Sequence, residues 1–408
     1  MCIVTRVCFV CDVFYPSTES TSQLFTELFN RLAAGGLQID VVTNRLPGCQ
    51  NLLKAAAPLL AGISVRRVGL PLRGRGSVAV RALRYGAFFV SATARLAVAN
   101  ADRFWAGTNP PFSPVWMAFM ALLRRKPFDI IVHDVYPDGL VAVGYLPPGA
   151  LVVKLWTALN RWAYGRACKV VVLGRDMADL MRRQYGVRDD QLVMFPNWSP
   201  FDQETPATLA ESSLTERLGL ERAFVVQYSG NMGLWHDIDT FVRAAEILQS
   251  DGRIRFLMIG DGRRLEPARH LADQLGLRNI TWLGFQDRDA LPDSLACANV
   301  ALISQREGLD GVAVPCKLYG ILASGRAIVA AVPPHSEVAR VVCEEQCGVV
   351  VPPSNAVAIA DALREMADNE PETIAMGQRS FIAYRRTYSL DAAARRFWDT
   401  WMHRDDIA

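Results

Sequence analysis

The sequence predicts an α/β protein with two doubly wound parallel sheets that face each other across a central cleft. Apolar, β-branched segments alternate with helix-length amphipathic segments, a pattern typical of parallel sheets covered by helices on both faces. The alternation stops in a polar, proline-containing stretch at 195–213 and then starts again. The 408 residues are also too many for one ordinary core. We therefore expect one domain over 1–200 and a second over 201–385.

The first half of the chain begins with a strand, "RVCFVCDVF", at 6–14. The segment 21–36 follows and predicts a helix that ends at a glycine pair. Its apolar face consists of Leu24, Phe25, Leu28, Phe29 and Leu32. Further strands are predicted at 37–43, 128–134 and 169–174.

The second half repeats this pattern. A strand at 224–230 precedes an amphipathic helix at 237–250 and a strand at 254–260. Four more apolar segments follow, each separated from the next by a helix-length stretch. They lie at 279–285, 300–304, 327–332 and 348–353.

Ligands of doubly wound sheets bind beyond the carboxyl ends of the strands. Polar and glycine residues follow five of the predicted strands at that end. They are Asp12, His133 with Asp134, Gly230 with Asn231, Gly260 with Asp261, and Arg306 with Glu307. No Gly-x-Gly-x-x-Gly follows the first strand, so we expect no dinucleotide site of that kind.

Charge is distributed unevenly along the chain. Residues 1–200 carry 23 Lys and Arg against 12 Asp and Glu, whereas residues 201–408 carry 21 against 29. This asymmetry indicates different partners for the two halves. No nucleic-acid-binding module is present, so we expect no nucleic-acid partner.

The nine cysteines have no zinc-type spacing, and no signal-peptide pattern opens the chain. The apolar stretch at 114–123 is shorter than the ~18 residues that predict a membrane-spanning helix. We expect a cytoplasmic protein with reduced cysteines, at most peripheral on the inner face of the membrane.

Eight stretches resemble the retaining nucleotide-sugar glycosyltransferases of family 4, in their bacterial polysaccharide-synthesis branch. The most specific is "REGLDGVAVPCKLYGILASG" at 306–325. The others are "TNPPF" (108–112), "HDVYPDG" (133–139), "VVVLGRDM" (171–177), "FPNWSP" (195–200), "YSGNMG" (228–233), "MIGDG" (258–262) and "LGFQDRDALPDSLACANVALI" (283–303). The resemblance implies a GT-B fold, with an acceptor site in the first domain and a UDP- or GDP-sugar donor site in the second. It also implies a final helical segment, 386–408, that crosses back to the first domain.

The resemblance implies roles for individual residues. Lys317, with Arg306 and the backbone amides from Gly311 and Val312 onward, would hold the donor diphosphate, because cations and amides near a helix start stabilise anionic groups. Glu307 would contact the donor sugar. His133 would hydrogen-bond the sugar near the reacting carbon, while Asp134 and Asp12 would bind the acceptor. Gly230, Asn231, Gly260 and Asp261 would line the donor site. No metal motif appears, and we expect no cofactor.

The chain departs from the family pattern at three positions. The second Glu of the Glu-x7-Glu motif, which grips the nucleotide ribose in relatives, falls on Gly320. We expect the neighbouring Tyr319 to belong to the donor site and to help there by packing. Asn231 and His236 stand roughly where many relatives carry Arg and Lys. Phosphate binding should therefore depend more strongly on Lys317 or Arg306.

A basic, aromatic stretch at 73–105 predicts a surface for anionic lipid head groups, which suits a polyprenyl-diphosphate acceptor. Its arginines are Arg73, Arg75, Arg81, Arg84, Arg95 and Arg103, and Arg124, Arg125 and Lys126 extend it. An amphipathic helix packed on the sheet is the alternative interpretation.

Three functions fit the sequence. The favoured one is a retaining glycosyltransferase that acts on a glycan or lipid-linked acceptor. A nucleotide-sugar epimerase of the same architecture and a non-catalytic nucleotide-sugar-binding subunit are the alternatives.

Overall fold

The computed structural model describes residues 5–17, 19–45, 59–71 and 78–401. The chain divides into two compact units, Met1–Pro196 with Leu390–Ala408, and Asn197–Ser389. Each unit is built on its own parallel sheet, which confirms the predicted fold class.

The first unit contains a seven-stranded sheet of order β3-β2-β1-β4-β5-β6-β7, in which every neighbouring pair is parallel. Its strands are β1 (Arg6–Cys11), β2 (Gln38–Asn44), β3 (Ile63–Val68), β4 (Arg103–Gly107), β5 (Phe128–Ile131), β6 (Lys169–Val172) and β7 (Leu192–Met194). The connecting helices are α1 (Ser20–Ala34), α2 (Val78–Val98), α3 (Ser113–Arg124), α4 (Asp138–Ala142), α5 (Leu151–Tyr164) and α6 (Arg175–Tyr185).

The second unit contains a six-stranded parallel sheet of order β10-β9-β8-β11-β12-β13. Its strands are β8 (Phe224–Ser229), β9 (Ile254–Ile259), β10 (Ile280–Leu283), β11 (Val300–Ser304), β12 (Ala327–Ala331) and β13 (Gly348–Val351). Its helices are α7 (Ser213–Leu218), α8 (Ile238–Ile247), α9 (Leu265–Gln274), α10 (Leu291–Ala296), α11 (Lys317–Ala323), α12 (Glu337–Glu344), α13 (Ala356–Asp368) and α14 (Glu370–Ala383). A π-turn at Tyr384–Tyr388 follows α14, and short 3₁₀ turns occur at Leu209–Glu211 and Arg288–Ala290.

The last helix, α15 (Leu390–Trp401), packs on the first unit beside α1. Its anchor is Asp129 on β5, whose side chain is fully buried. Asp129 accepts hydrogen bonds from Arg103, from the Trp105 indole and, at 2.8 Å, from the Trp401 indole. A buried carboxylate needs such partners, because an unpaired charge in a low-dielectric interior is costly.

The helix predicted at 21–36 forms α1, and its five predicted apolar residues are all buried. Three strands of the first sheet, β3, β4 and β7, were not predicted. In the part of the chain that the structure describes, no helix is both long and apolar enough to cross a membrane.

Candidate functional site

Each sheet has one point where the strand order reverses, between β1 and β4 in the first unit and between β8 and β11 in the second. At such a point the loops leave in opposite directions and open a crevice at the carboxyl edge, where ligands of this fold class bind. The loops after β8, β9 and β11 carry the predicted donor residues, and those after β1 and β5 carry the predicted acceptor residues.

Two glycine loops of the second unit lie in direct backbone contact. The Met232 amide donates to the Asp261 carbonyl at 2.8 Å, and the Gly230 amide donates to the Ile259 carbonyl at 3.0 Å. A Cβ at Gly260 would stand 2.0 Å from the Gly230 carbonyl oxygen, so no side chain fits there. The absence of a side chain at this position lets the backbones after β8 and β9 form one continuous rim around the crevice.

Lys317 is the first residue of α11, and its side chain reaches across to the loop after β8. A Cβ placed on Gly230 would lie 3.9 Å from the Lys317 Nζ. The ammonium lies 3.7 Å from the centre of the Tyr228 ring. The Tyr228 hydroxyl in turn donates to the Asn231 carbonyl at 2.8 Å. Lys317 therefore stands at the reversal point of the sheet, between the two loops predicted to bind the donor.

The Lys317 ammonium is buried, and it has no hydrogen-bond partner among the described residues. Burial lowers the pKa of this lysine to about 7, because the charged form loses its hydration. The contact with the Tyr228 ring offsets only part of that loss. Three N–H donors held without an acceptor are expensive in a structural position and are typical of a group that binds an anion.

His236 lies near Lys317 and is neutral at physiological pH. Burial and the nearby Lys317 charge lower its pKa to about 3. Its Nδ1 lies 2.8 Å from the Ser304 carbonyl oxygen at the end of β11. His236 therefore supplies no positive charge to the site, in contrast to Lys317.

The long loop between β11 and α11 exposes Arg306 and Glu307. The Arg306 amide donates to the Trp235 carbonyl at 3.2 Å, and its guanidinium lies 3.4 Å from the Leu234 carbonyl. Val312 is buried, and its amide already donates to the Leu309 carbonyl at 3.1 Å. Gly311 is also buried.

Gly320 and Tyr319 lie inside α11 and are buried. A Cβ at Gly320 would stand 3.6 Å from Leu295 and from Pro200, an apolar setting. Tyr319 packs against Tyr388 with ring centres 5.3 Å apart. Asp261 is exposed, and its carboxylate accepts from the Gly262 amide at 2.7 Å.

In the first unit, Thr108 in the loop after β4 forms hydrogen bonds with the loop after β5. Its hydroxyl accepts the amides of His133 at 3.2 Å and Asp134 at 3.3 Å. Burial lowers the pKa of His133 to about 4 and raises that of Asp134 to about 6. His133 is therefore neutral near pH 7 and can form a neutral hydrogen bond to a sugar hydroxyl. Thr108 belongs to the quoted "TNPPF" stretch, but nothing in that stretch predicts this positioning role.

Asp12 lies at the end of β1 and uses both carboxylate oxygens within its own unit. One accepts from Asn44 at 3.0 Å and the other pairs with Arg84 at 2.8 Å. Burial raises the pKa of Asp12, and the Arg84 charge opposes this effect. An acceptor hydroxyl would have to share these oxygens.

The prediction that the stretch at 73–105 forms a lipid-binding surface is wrong for two of its arginines. Arg84 is buried against Asp12, and Arg103 is buried on β4 against Asp129. Their charges are neutralised inside the unit because each faces a carboxylate in the core. Arg81 and Arg95 are exposed on α2, whereas Arg73 and Arg75 lie outside the described residues.

No group of three or more His, Cys, Asp or Glu side chains suited to a metal ion occurs among the residues that the structure describes. Among the described residues of the second unit's crevice, the groups suited to an anion are the Lys317 ammonium and, on the loop after β11, the exposed Arg306 guanidinium.

Comparison with known proteins matches each unit to a family of glycosyltransferases. A family model described as "Glycosyl transferases group 1" matches residues 213–381, and one described as "Glycosyl transferase 4-like domain" matches residues 22–198. The chain belongs to glycosyltransferase family 4. It is a retaining glycosyltransferase of GT-B fold that uses nucleotide-sugar donors.

Similar curated proteins cover about three quarters of the chain. The probable glycosyltransferase WbjE of Pseudomonas aeruginosa is 26% identical over 314 residues, which are 77% of each chain. The putative colanic acid biosynthesis glycosyl transferase WcaI of Escherichia coli (strain K12) is 27% identical over 314 residues, 74% of this chain and 76% of WcaI.

Solved structures agree with the fold over nearly the whole length. Sucrose-phosphate synthase from Thermosynechococcus elongatus has a TM-score of 0.75 at 15% identity, and the match covers 97% of this chain and 98% of that one. WaaG, described as a glycosyltransferase involved in lipopolysaccharide biosynthesis, has a TM-score of 0.70 at 15% identity. That match covers 97% of this chain and 98% of WaaG. Anabaena HepE in complex with UDP-glucose also has a TM-score of 0.70 at 15% identity, with 97% and 99% covered.

Proposed function

We propose that this glycosyltransferase moves a sugar from a UDP- or GDP-linked donor to a glycan or polyprenyl-diphosphate-linked acceptor during cell-surface polysaccharide synthesis. The observation that carries the proposal is the buried ammonium of Lys317 at the reversal point of the second sheet, which has no hydrogen-bond partner among the described residues. A diphosphate is the donor component whose charge complements that group.

Lys317 would act on the leaving group. Breaking the bond between the sugar and the diphosphate leaves additional negative charge on the phosphate oxygen that departs. A fixed cation in a site of low dielectric stabilises this charge more than water does and needs no reorganisation. The ammonium points toward Gly230, where no side chain separates it from a ligand.

Glu307 and Arg306 would contact the donor from the opposite loop. Both are exposed, so a donor sugar and its phosphates can reach them without displacing core residues. We assign Glu307 to the sugar, where a carboxylate can accept hydroxyl hydrogen bonds and favour positive charge at the reacting carbon. Arg306 would supplement Lys317.

The nucleotide ribose would bind without the carboxylate that relatives carry at position 320. The atoms nearest to a Cβ at Gly320 are apolar, and the side chain of Tyr319 is buried, so neither residue presents an exposed polar group to a ribose. We assign the nucleoside instead to the rim formed by Gly230, Asn231, Gly260 and Asp261, whose backbone groups and side chains follow β8 and β9.

His133 and Asp134 would serve the acceptor side of the reaction. The neutral imidazole of His133 can donate or accept a hydrogen bond without adding charge. Asp134, with its pKa raised to about 6, is mostly ionised at neutral pH and can accept from an acceptor hydroxyl. Thr108 fixes both backbones.

Two relatives support a cell-surface glycan as the product class. WcaI is described as a colanic acid biosynthesis enzyme and WaaG as a lipopolysaccharide biosynthesis enzyme. We propose by analogy that the acceptor is carried on a lipid at the inner face of the membrane. The exposed Arg81 and Arg95 would contribute to contact with anionic head groups.

Incubation with a panel of UDP- and GDP-sugars tests the proposal. The transferase should slowly hydrolyse one donor and release a sugar whose anomeric configuration matches that of the donor. An isomerised nucleotide-sugar would instead indicate the epimerase, and binding without turnover would indicate a non-catalytic subunit.

A further inference from the structure

Exposed apolar side chains are concentrated on two neighbouring helices of the first unit. Among the large apolar residues of α3 and α5, seven are exposed, and we call them the α3–α5 face. They are Phe119, Leu122, Leu123, Leu151, Val152, Leu155 and Leu159. Leu151 is 81% exposed, Leu122 61% and Leu155 60%.

The face is continuous because the two helices pack against each other. Leu151, Leu155 and Leu159 recur every four residues and form one stripe along α5. Leu122 and Phe119 recur at helical spacing on α3. The opposite sides of both helices are buried on the unit, with Met117 and Trp156 among the buried residues. Each helix is therefore apolar on two sides. Packing on the sheet explains the buried side but not the exposed one.

The charged residues on the helices of the face, and on the neighbouring α2, have a single sign. α2, α3 and α5 together contain six Lys and Arg and no Asp or Glu. Arg81, Arg95, Lys154 and Arg161 are exposed, and Arg125 is exposed directly after α3. An ordinary hydrated surface mixes both signs. Helices with an exposed apolar face and only cationic charges of their own are typical of a surface that binds anionic lipids.

A second copy of the chain is a poorer occupant than a bilayer. In a twofold dimer the same patch meets itself, so these cations would approach each other. That like-charge repulsion opposes self-association. Anionic head groups would instead neutralise the cations while the leucines enter the boundary with the acyl chains.

The face also extends to the carboxyl edge of the sheet. α3 follows β4 and α5 precedes β6, so both helices start at the edge where His133 and Asp134 lie. Phe112, just before α3, stacks on Trp156 of α5 with ring centres 4.2 Å apart. Tyr136, two residues after Asp134, stacks parallel to the Trp156 ring, with ring centres 6.2 Å apart.

We infer that the α3–α5 face inserts into the surface of an anionic phospholipid bilayer and so brings the loops after β4 and β5 to the lipid head groups. This deepens the lipid-linked acceptor of the proposed function and rests on it for the choice of partner. It also moves the main membrane contact from the arginines of α2 to leucines of α3 and α5.

Vesicle flotation tests the inference with the full chain. Vesicles of phosphatidylcholine with added phosphatidylglycerol should bind the protein at low salt, and pure phosphatidylcholine should bind it less. The double variant Leu122→Glu/Leu155→Glu should lose at least ~tenfold in partitioning. Both sites are exposed, so the fold should persist, and donor hydrolysis reports that it does.

The double variant Val357→Glu/Ile374→Glu is a matched control, because both residues are 59% exposed but lie on the second unit. It should partition like the wild type. The inference is overturned if the wild type ignores anionic vesicles or if the α3–α5 variant binds them equally well. It is also overturned if light scattering shows a dimer that this variant dissociates and that does not bind vesicles. Donor hydrolysis without vesicle binding would leave the proposed transferase intact and remove only the membrane face.

Discussion

Donor binding should depend on pH through Lys317. Its pKa of about 7 in the free protein means that half of the molecules lack the charge at neutral pH. A bound diphosphate favours the protonated form and raises this pKa. Between the free and bound pKa values, binding takes up a proton. Affinity should therefore fall about fiftyfold from pH 7 to pH 9, and its slope should approach tenfold per pH unit well above pH 7.

Isothermal titration calorimetry across that window isolates this lysine. The diphosphate of a nucleotide-sugar is esterified at both ends and does not titrate there. His236, with its pKa near 3, and His133 and Asp134, with pKa values near 4 and 6, keep their charge states above pH 7. The part of the slope that the variant Lys317→Met removes should therefore report on Lys317.

The matched variant is Lys317→Met, which keeps the length of the side chain and removes the charge. It should bind the donor weakly and with a nearly flat pH profile. A wild-type affinity that does not change from pH 7 to pH 9, or a variant that binds as tightly as the wild type, would refute the assignment of Lys317 to the diphosphate.

The burial of Lys317 also predicts that Lys317→Met stabilises the free protein by at least ~1 kcal/mol near pH 7. The lysine binds more protons in the unfolded chain than in the folded protein, so it lowers the stability of the fold as pH falls from the unfolded pKa toward 7. Chemical denaturation measures the free energy of unfolding, and a destabilised variant would indicate a structural lysine. Glu307→Ala should reduce turnover at least ~10²-fold with little change in unfolding, since the residue is exposed; wild-type turnover would remove Glu307 from the site. Asp12→Ala leaves Arg84 of α2 buried without its carboxylate and should lower the free energy of unfolding in urea by ~3 kcal/mol. Arg81→Ala removes an exposed arginine from the same helix, α2, and should change that free energy little. Activity should persist in excess EDTA, with only a few-fold response to magnesium; complete loss that manganese or magnesium restores would show a catalytic metal.

The periodic part of the fold could be predicted because burial on both faces makes parallel strands nearly continuous apolar runs. The missed strands lack that signal. β3 is an edge strand with Arg66 exposed in it, and β7 has only three residues. β4 contains Arg103, which the sequence suggested was a surface charge because its partner Asp129 lies on another strand.

The contacts of the candidate residues could not be predicted from the sequence. The quoted motif indicates Lys317, yet only the fold brings it to Tyr228, 89 positions earlier in the chain. Likewise, Asp12 looks free in the sequence because Arg84 comes from a distant helix. The α3–α5 face was missed for the same reason: a pattern of apolar residues on a helix does not show which of two sides the sheet covers.

The most direct test of the central claim compares nucleotide release by the wild type and Lys317→Met with the donor panel, at pH 6.5 (a pH at which most wild-type molecules carry the charge). The wild type should release the nucleoside diphosphate from one donor with retention at the sugar, and the variant should be slower by at least ~10²-fold at saturating donor. Equal release rates would contradict the claim that a buried lysine at the strand-order reversal of the second sheet stabilises the departing diphosphate, as would an absence of release from every donor.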